Sequence, residues 1–148
     1  MRKATLIVEG EKTHFSVANA TDWSSVALAL ADTFSPGSVI AISGPLGAGK
    51  TTFVQALAHV MGIQRIPQSP TFALMRSYPI PRSSVFYQKF RRLIHVDAYR
   101  IEHERDFMAL DLDEELADGK SILLLEWPEK VPGWLQRQQN VMHLNIET

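Results

Sequence analysis

Gly44-Pro45-Leu46-Gly47-Ala48-Gly49-Lys50-Thr51 fits the pattern G-x-x-x-x-G-K-[ST] without a mismatch, and its flanks give it meaning. Before it, Val39-Ile40-Ala41-Ile42-Ser43 is apolar and β-branched enough for a buried strand. After it, Phe53, Val54, Leu57, Val60 and Met61 fall at i, i+1, i+4, i+7 and i+8, the apolar face of a helix. Strand, glycine loop and helix in that order let loop N–H groups and a helix N-terminus converge on one anion. Glycine removes the side chain where backbone must approach phosphate oxygens. Gly44, Leu46, Gly47, Ala48, Gly49, Lys50, Thr51 and Thr52 are therefore the candidate nucleotide contacts. Lys50 is expected to reach the β- and γ-phosphates, and the Thr51 hydroxyl to ligate Mg²⁺.

The chain has 148 residues, enough for one domain spanning 1–148 with a real core and little room for a second. Its apolar fraction of 45% and charged fraction of 21% are those of an ordinary globular protein, and no apolar run approaches a membrane span. Met1-Arg2-Lys3-Ala4-Thr5 starts basic but leads into no sustained apolar region, so a cytoplasmic protein is expected. Without cysteine there is no disulfide, thiolate metal site or cysteine nucleophile. Fifteen Lys+Arg against sixteen Asp+Glu leave a formal charge of -1, which gives no global signal for nucleic acid.

Residues 1–18 read as an edge hairpin with a structural role: strands Thr5 to Val8 and His14 to Val17 about a turn at Glu9-Gly10-Glu11-Lys12. Thr21 is read as the N-cap of a helix whose apolar face is Trp23, Val26, Ala27, Leu30 and Phe34 and which Pro36-Gly37 stops. Gly62 ends the helix after the glycine loop. Ser69-Pro70-Thr71-Phe72 then offers two readings, a switch threonine facing the γ-phosphate or a turn into the next strand. Ala73 to Tyr78 and Val85 to Leu93 read as two extended arms, with 78–93 a basic hairpin insertion. Arg76, Arg82, Lys89, Arg91 and Arg92 alternate there with Tyr78, Phe86, Tyr87 and Phe90, which suits either RNA contact or a plain exposed hairpin.

Leu93-Ile94-His95-Val96-Asp97 is a mostly apolar strand ending in an acid, the Walker B pattern that places a carboxylate beside Mg²⁺. His95 within it reads as a hydrogen-bonded core histidine. Arg100 suits a phosphate contact or an ion pair equally. His103 to Leu116 reads as one acidic helix. Ser121 to Leu125 is a second buried strand, and Glu126 at its end is a second carboxylate on the edge where open α/β sheets bind ligands. Asp97, Glu126 and Thr51 together make a candidate magnesium site, or one acid orients the attacking water. Trp127 stacks near the nucleotide or packs in the core. Val141 to Ile146 reads as a closing strand.

Gly44 to Thr52, Ser69-Pro70-Thr71-Phe72, His95-Val96-Asp97-Ala98-Tyr99-Arg100 and Glu126-Trp127-Pro128-Glu129, in that order and spacing, resemble the TsaE (YjeE) family of bacterial P-loop ATPases. The resemblance runs from about Thr21 to Val131. It implies an ATP-binding protein needed for N6-threonylcarbamoyladenosine at position 37 of tRNAs reading codons that begin with A. Its partners would be TsaD and TsaB-type proteins, with tRNA met through the complex and no membrane contact. Carried over by motif, Lys50, Thr71, Asp97 and Glu126 form the catalytic set, and Thr51 with Glu126 holds Mg²⁺. Trp127 is the aromatic after the second acid. The stretch between Tyr78 and Leu93 is longer and more basic than the family's usual connection, and a C-terminal tail like that of some relatives is expected to be absent.

The expected fold is a single three-layer P-loop NTPase α/β domain with a largely parallel central sheet and antiparallel edge strands. The expected activity is Mg²⁺-dependent ATP hydrolysis, weak alone and coupled to the partner complex. A small-molecule or nucleotide kinase built on the same loop is the rival reading, and a nucleotide-loaded adaptor is a third.

Overall fold

Alternate residues of the apolar strands point to opposite faces of a sheet, and both faces of this one are covered. In the computed structural model, which describes residues 2–8, 10–64 and 74–148, Ile40, Ile42, Ile122, Leu124 and Leu93 pack into one core and Val39, Leu123, Leu125, Ile94 and Val96 into another. Ser69, Pro70, Thr71 and Phe72 lie outside the described residues.

The strands are β1 (Arg2–Val8), β2 (Glu11–Val17), β3 (Val39–Ser43), β4 (Met75–Pro79), β5 (Arg92–Asp97), β6 (Ser121–Glu126) and β7 (Val141–Glu147), in the spatial order β2-β1-β7-β3-β6-β5-β4. The four central strands β7, β3, β6 and β5 are parallel, while β1, β2 and β4 are joined antiparallel at the two edges. Helices α1 (Ala20–Ala31) and α2 (Lys50–Val60) cover one face with Trp23, Leu30, Phe53 and Leu57. Three short helices, α3 (Glu104–Met108), α4 (Leu112–Leu116) and α5 (Pro132–Gln136), cover the other with Phe107, Leu112 and Trp134. This is the expected three-layer α/β arrangement with a largely parallel centre and antiparallel edges. Among the described residues no helix is long and apolar enough to cross a membrane.

Local chemistry moves several expected boundaries. The N-cap of α1 is Asn19, not Thr21: the Asn19 side chain accepts from the Asp22 N–H at 3.1 Å while the Asp22 carboxylate accepts from the Asn19 N–H at 3.2 Å, a reciprocal capping box. That helix ends at Ala31, before Pro36-Gly37, and Phe34 reaches the core from the connection that follows. Strand β2 starts at Glu11, so Glu11 and Lys12 pair with Val8 and Ile7 rather than forming the turn. The arm expected from Val85 is a run of turns, and strand pairing resumes only at Arg92. The single helix expected over 103–116 is two, because Asp111 adopts a left-handed backbone (φ 51) between them. Gly62, with φ 85, does stop α2: the Gly62 N–H donates to His59 O and the Ile63 N–H to Ala58 O, a Schellman closure.

The capping assignment has a direct check. Asn19→Ala lowers stability in urea unfolding by about 1 kcal/mol, whereas Thr21→Ala changes it by less than about 0.5 kcal/mol; equal effects would return the cap to Thr21.

Candidate functional site

Parallel strands deliver their C-terminal ends to one edge, and register decides which residues stand level there. Ile42 on β3 is paired with Glu126 on β6, and Glu126 with Asp97 on β5. Both carboxylates therefore stand where β3 gives way to the glycine loop. Glu126 and His95 share the sheet face that carries α2, which sets them behind the loop rather than on the opposite side.

The loop crosses from β3 to α2 in close contact with its neighbours. A Cβ on Gly49, whose φ is 112, would lie 2.9 Å from Trp23 Cζ2, inside any real van der Waals contact. Gly47 (φ 76) has open space around it and needs glycine only for its backbone. At the start of α2 the Lys50 ammonium turns back under the loop and donates to Gly44 O at 2.5 Å and Pro45 O at 2.8 Å. Two of its three N–H donors are thereby used, leaving one for a phosphate oxygen. Its Nζ also lies 4.2 Å from the Trp127 ring centroid. Burial pushes the Lys50 ammonium below its ordinary value, and the negative charges of Glu126, Glu129 and Asp97 oppose that.

The Thr51 hydroxyl lies 3.5 Å from Glu126 Oε1, and the other carboxylate oxygen is 2.6 Å from His95 Nε2. His95 is fully buried and Glu126 is 2% exposed. An ionised carboxylate only accepts, so His95 donates from Nε2 and fixes the direction of Glu126. The reading of His95 as a hydrogen-bonded core residue and its service to the site are the same contact. Asp97 is half-buried, and its Oδ1 accepts from the Tyr99 N–H at 3.0 Å. Tyr99 in turn packs on Trp127 with ring centroids 4.9 Å apart. Trp127 holds a left-handed backbone (φ 60), lines the pocket and also packs against the second core.

A cavity of about 360 Å³ is bounded by the loop, Lys50, Thr51, Thr52, Asp97, Glu126 and Trp127, with Arg2, Tyr99 and Arg100 at its walls. Its size is that of a small-molecule site. Sequence reasoning missed Arg2 and Tyr99. For Tyr99 the signal was its place two residues after Asp97; for Arg2 it was only topological. Arg100 lines the cavity and forms no ion pair among the described residues.

The donor set suits a hard cation: one hydroxyl and two carboxylates, with no cluster of three or more metal-ligating acids or histidines among the described residues. Mg²⁺ fits so sparse a set because it keeps several waters and takes further oxygens from phosphates. Thr51 and Glu126 would hold it.

Arg91 and Arg92 of the basic segment after β4 have local partners. Arg92 pairs with Glu115 at 2.7 Å and Asp118 at 3.8 Å, Arg91 lies 3.8 Å over the Tyr87 ring, and Tyr78 and Phe90 are buried.

Known proteins resemble the chain over most of its length. The family model for the threonylcarbamoyl adenosine biosynthesis protein TsaE matches residues 17–148, leaving β1 and nearly all of β2 outside the match. The tRNA threonylcarbamoyladenosine biosynthesis protein TsaE of Bacillus subtilis is 36% identical over 104 residues, 70% of this chain and 59% of that protein. Its counterpart in Streptomyces coelicolor is 39% identical over 101 residues, 68% of this chain and 63% of that protein. The chain thus spans about three fifths of the length of these two relatives. The crystal structure of YdiB from Bacillus subtilis aligns with a TM-score of 0.58 at 31% identity, covering 79% of this chain and 65% of the other.

The two glycines make a contrasting pair for mutation. Gly47→Ala lowers stability by about 1 kcal/mol from the left-handed backbone alone, and Gly49→Ala by roughly 2 kcal/mol or more because the methyl also meets Trp23. Thermal or urea unfolding measures both; Gly49→Ala matching Gly47→Ala would mean the Trp23 contact yields without strain.

Proposed function

Because the chain belongs to the TsaE family, we propose that it binds and hydrolyses ATP with Mg²⁺ and is required, with TsaD and TsaB-type proteins, for the threonylcarbamoyl group on adenosine 37 of tRNAs reading codons that begin with A. The observation that carries the chemistry is the 3.5 Å approach of the Thr51 hydroxyl to the Glu126 carboxylate beside a glycine loop with a buried lysine. The loop amides and Lys50 hold the phosphates. Thr51 and Glu126 hold the metal, and Glu126 is kept on aim by His95 behind it. Mg²⁺ held there would neutralise negative charge on the phosphate oxygens. Asp97, level with Glu126 on the next strand, orients the attacking water in line with the γ-phosphate. Trp127 and Tyr99 shield the pocket wall from bulk water. Thr71 takes the γ-phosphate-sensing role its motif gives it. Hydrolysis acts as a switch, slow in the isolated chain and read out by the partner complex.

Reconstitution tests this reading. TsaD and TsaB-type proteins, threonylcarbamoyl-adenylate and tRNA are combined with ATP and either wild type, Lys50→Ala or Glu126→Ala. Repeated turnover needs the wild-type chain; Lys50→Ala loses nucleotide binding, and Glu126→Ala lowers ATP hydrolysis by about a hundredfold or more. Full hydrolysis by Lys50→Ala would remove the phosphate-loop assignment, and label passing from ATP to an organic acceptor rather than to water would favour the kinase.

A further inference from the structure

Strand β1 runs antiparallel to β7, with Lys3 opposite Glu147, so its first residues stand at the edge where the parallel strands end and the glycine loop begins. Ala4 and Leu6 face the α1/α2 layer, and Arg2 shares their parity. Its guanidinium lies along the loop: Nη2 donates to Gly47 O at 2.8 Å, and Nη1 is 3.3 Å from where a Gly49 Cβ would stand. Arg2 and Thr52 line the phosphate cavity and also a neighbouring one of about 370 Å³ formed with Asn19 and Trp23. They therefore mark the place where the two cavities meet, whereas Asp97 and Glu126 line only the first.

Among the described residues Arg2 has no carboxylate partner. A guanidinium carries five donors in a rigid fork suited to phosphate oxygens, and the contact to Gly47 uses one. A cation held at a cavity wall by a backbone carbonyl, without a counter-charge, is an anion-binding group already in place. Resting on the nucleotide-binding reading above, we infer that Arg2 is a further phosphate-binding residue, gripping the phosphate chain of the bound nucleoside triphosphate from the Thr52 end of the pocket. It comes from a strand outside the family match, so the family motif does not supply it.

The test is calorimetric titration of ATP and ADP into the full chain, comparing wild type with Arg2→Ala, Arg2→Gln and Arg2→Lys, alongside the melting temperature of each without nucleotide. Arg2→Ala and Arg2→Gln weaken ATP binding by roughly tenfold to a hundredfold, and Arg2→Lys recovers part of the loss by keeping the charge. Wild-type affinity in Arg2→Ala overturns the inference. So does wild-type affinity in Arg2→Gln, since an uncharged donor to Gly47 would then suffice. If Arg2→Ala melts too low to titrate, Arg2→Lys against Arg2→Gln decides: tighter binding by the lysine supports the phosphate contact, and equal binding overturns it. Wild type failing to bind ATP at all would instead bring down the nucleotide reading itself.

Discussion

The structure depends on how closely the glycine loop packs between β7 and α1. A Cβ on Gly44 would stand 2.7 Å from Ile146 O, and one on Gly49 would stand 2.9 Å from Trp23 Cζ2. The loop is thus pressed from one side by a strand and from the other by a helix, with no side chain between. The sheet order follows the same requirement, since β7 must lie beside β3 for Ile146 to back the loop. Trp23 must be on α1, and α1 must pack on α2, where Trp23 meets Phe53 edge to face at 6.0 Å. Loop shape is therefore set by the Ile146 backbone on one side and the buried Trp23 ring on the other.

Charge is arranged by burial in the same region. Lys50 is taken largely out of water, which disfavours its ammonium, while three carboxylates draw it back. A carboxylate as buried as Glu126 needs hydrogen-bond donors, and His95 supplies one from the neighbouring strand while the Thr51 hydroxyl approaches its other oxygen. One direction remains for that carboxylate, toward the loop. Asp97 sits one strand further out and half-buried, its backbone-side contact made by Tyr99. Two acids at equal height on adjacent strands thus meet different surroundings.

What could be read from the sequence was whatever a single period or a local motif encodes. The loop, its strand and its helix were legible because apolar spacing and glycine placement there admit one reading. The strand ends at Asp97 and Glu126 were legible because each closes an apolar run, and the parallel centre with antiparallel edges followed from the order of these elements. The cap at Asn19 was not, because Asn19 and Thr21 are both capping residues and only the reciprocal contact with Asp22 separates them. Nor was the break at Asp111, where a residue able to adopt a left-handed backbone splits an apolar pattern that continues across it. The basic segment misled because alternating aromatics and cations look extended, yet Phe90 turns into the core, Arg91 lies over the Tyr87 ring and Arg92 pairs with Glu115.

Arg2 belongs to a further class, legible only once strand direction is known. In an open parallel sheet every strand brings its C-terminal end to the ligand edge, so attention falls on residues that close apolar runs. An antiparallel edge strand reverses this and brings its beginning there. Val17, the last residue of β2, pairs with Arg2, so the exit into α1 and its capped N-terminus arrives at the same edge. One hairpin therefore delivers two things to the loop: a cation at its first strand's start and, through its second strand's end, the helix whose Trp23 braces Gly49. A hairpin that looks like plain edge protection in a linear reading is, in this topology, the outer wall of the glycine-loop cavity.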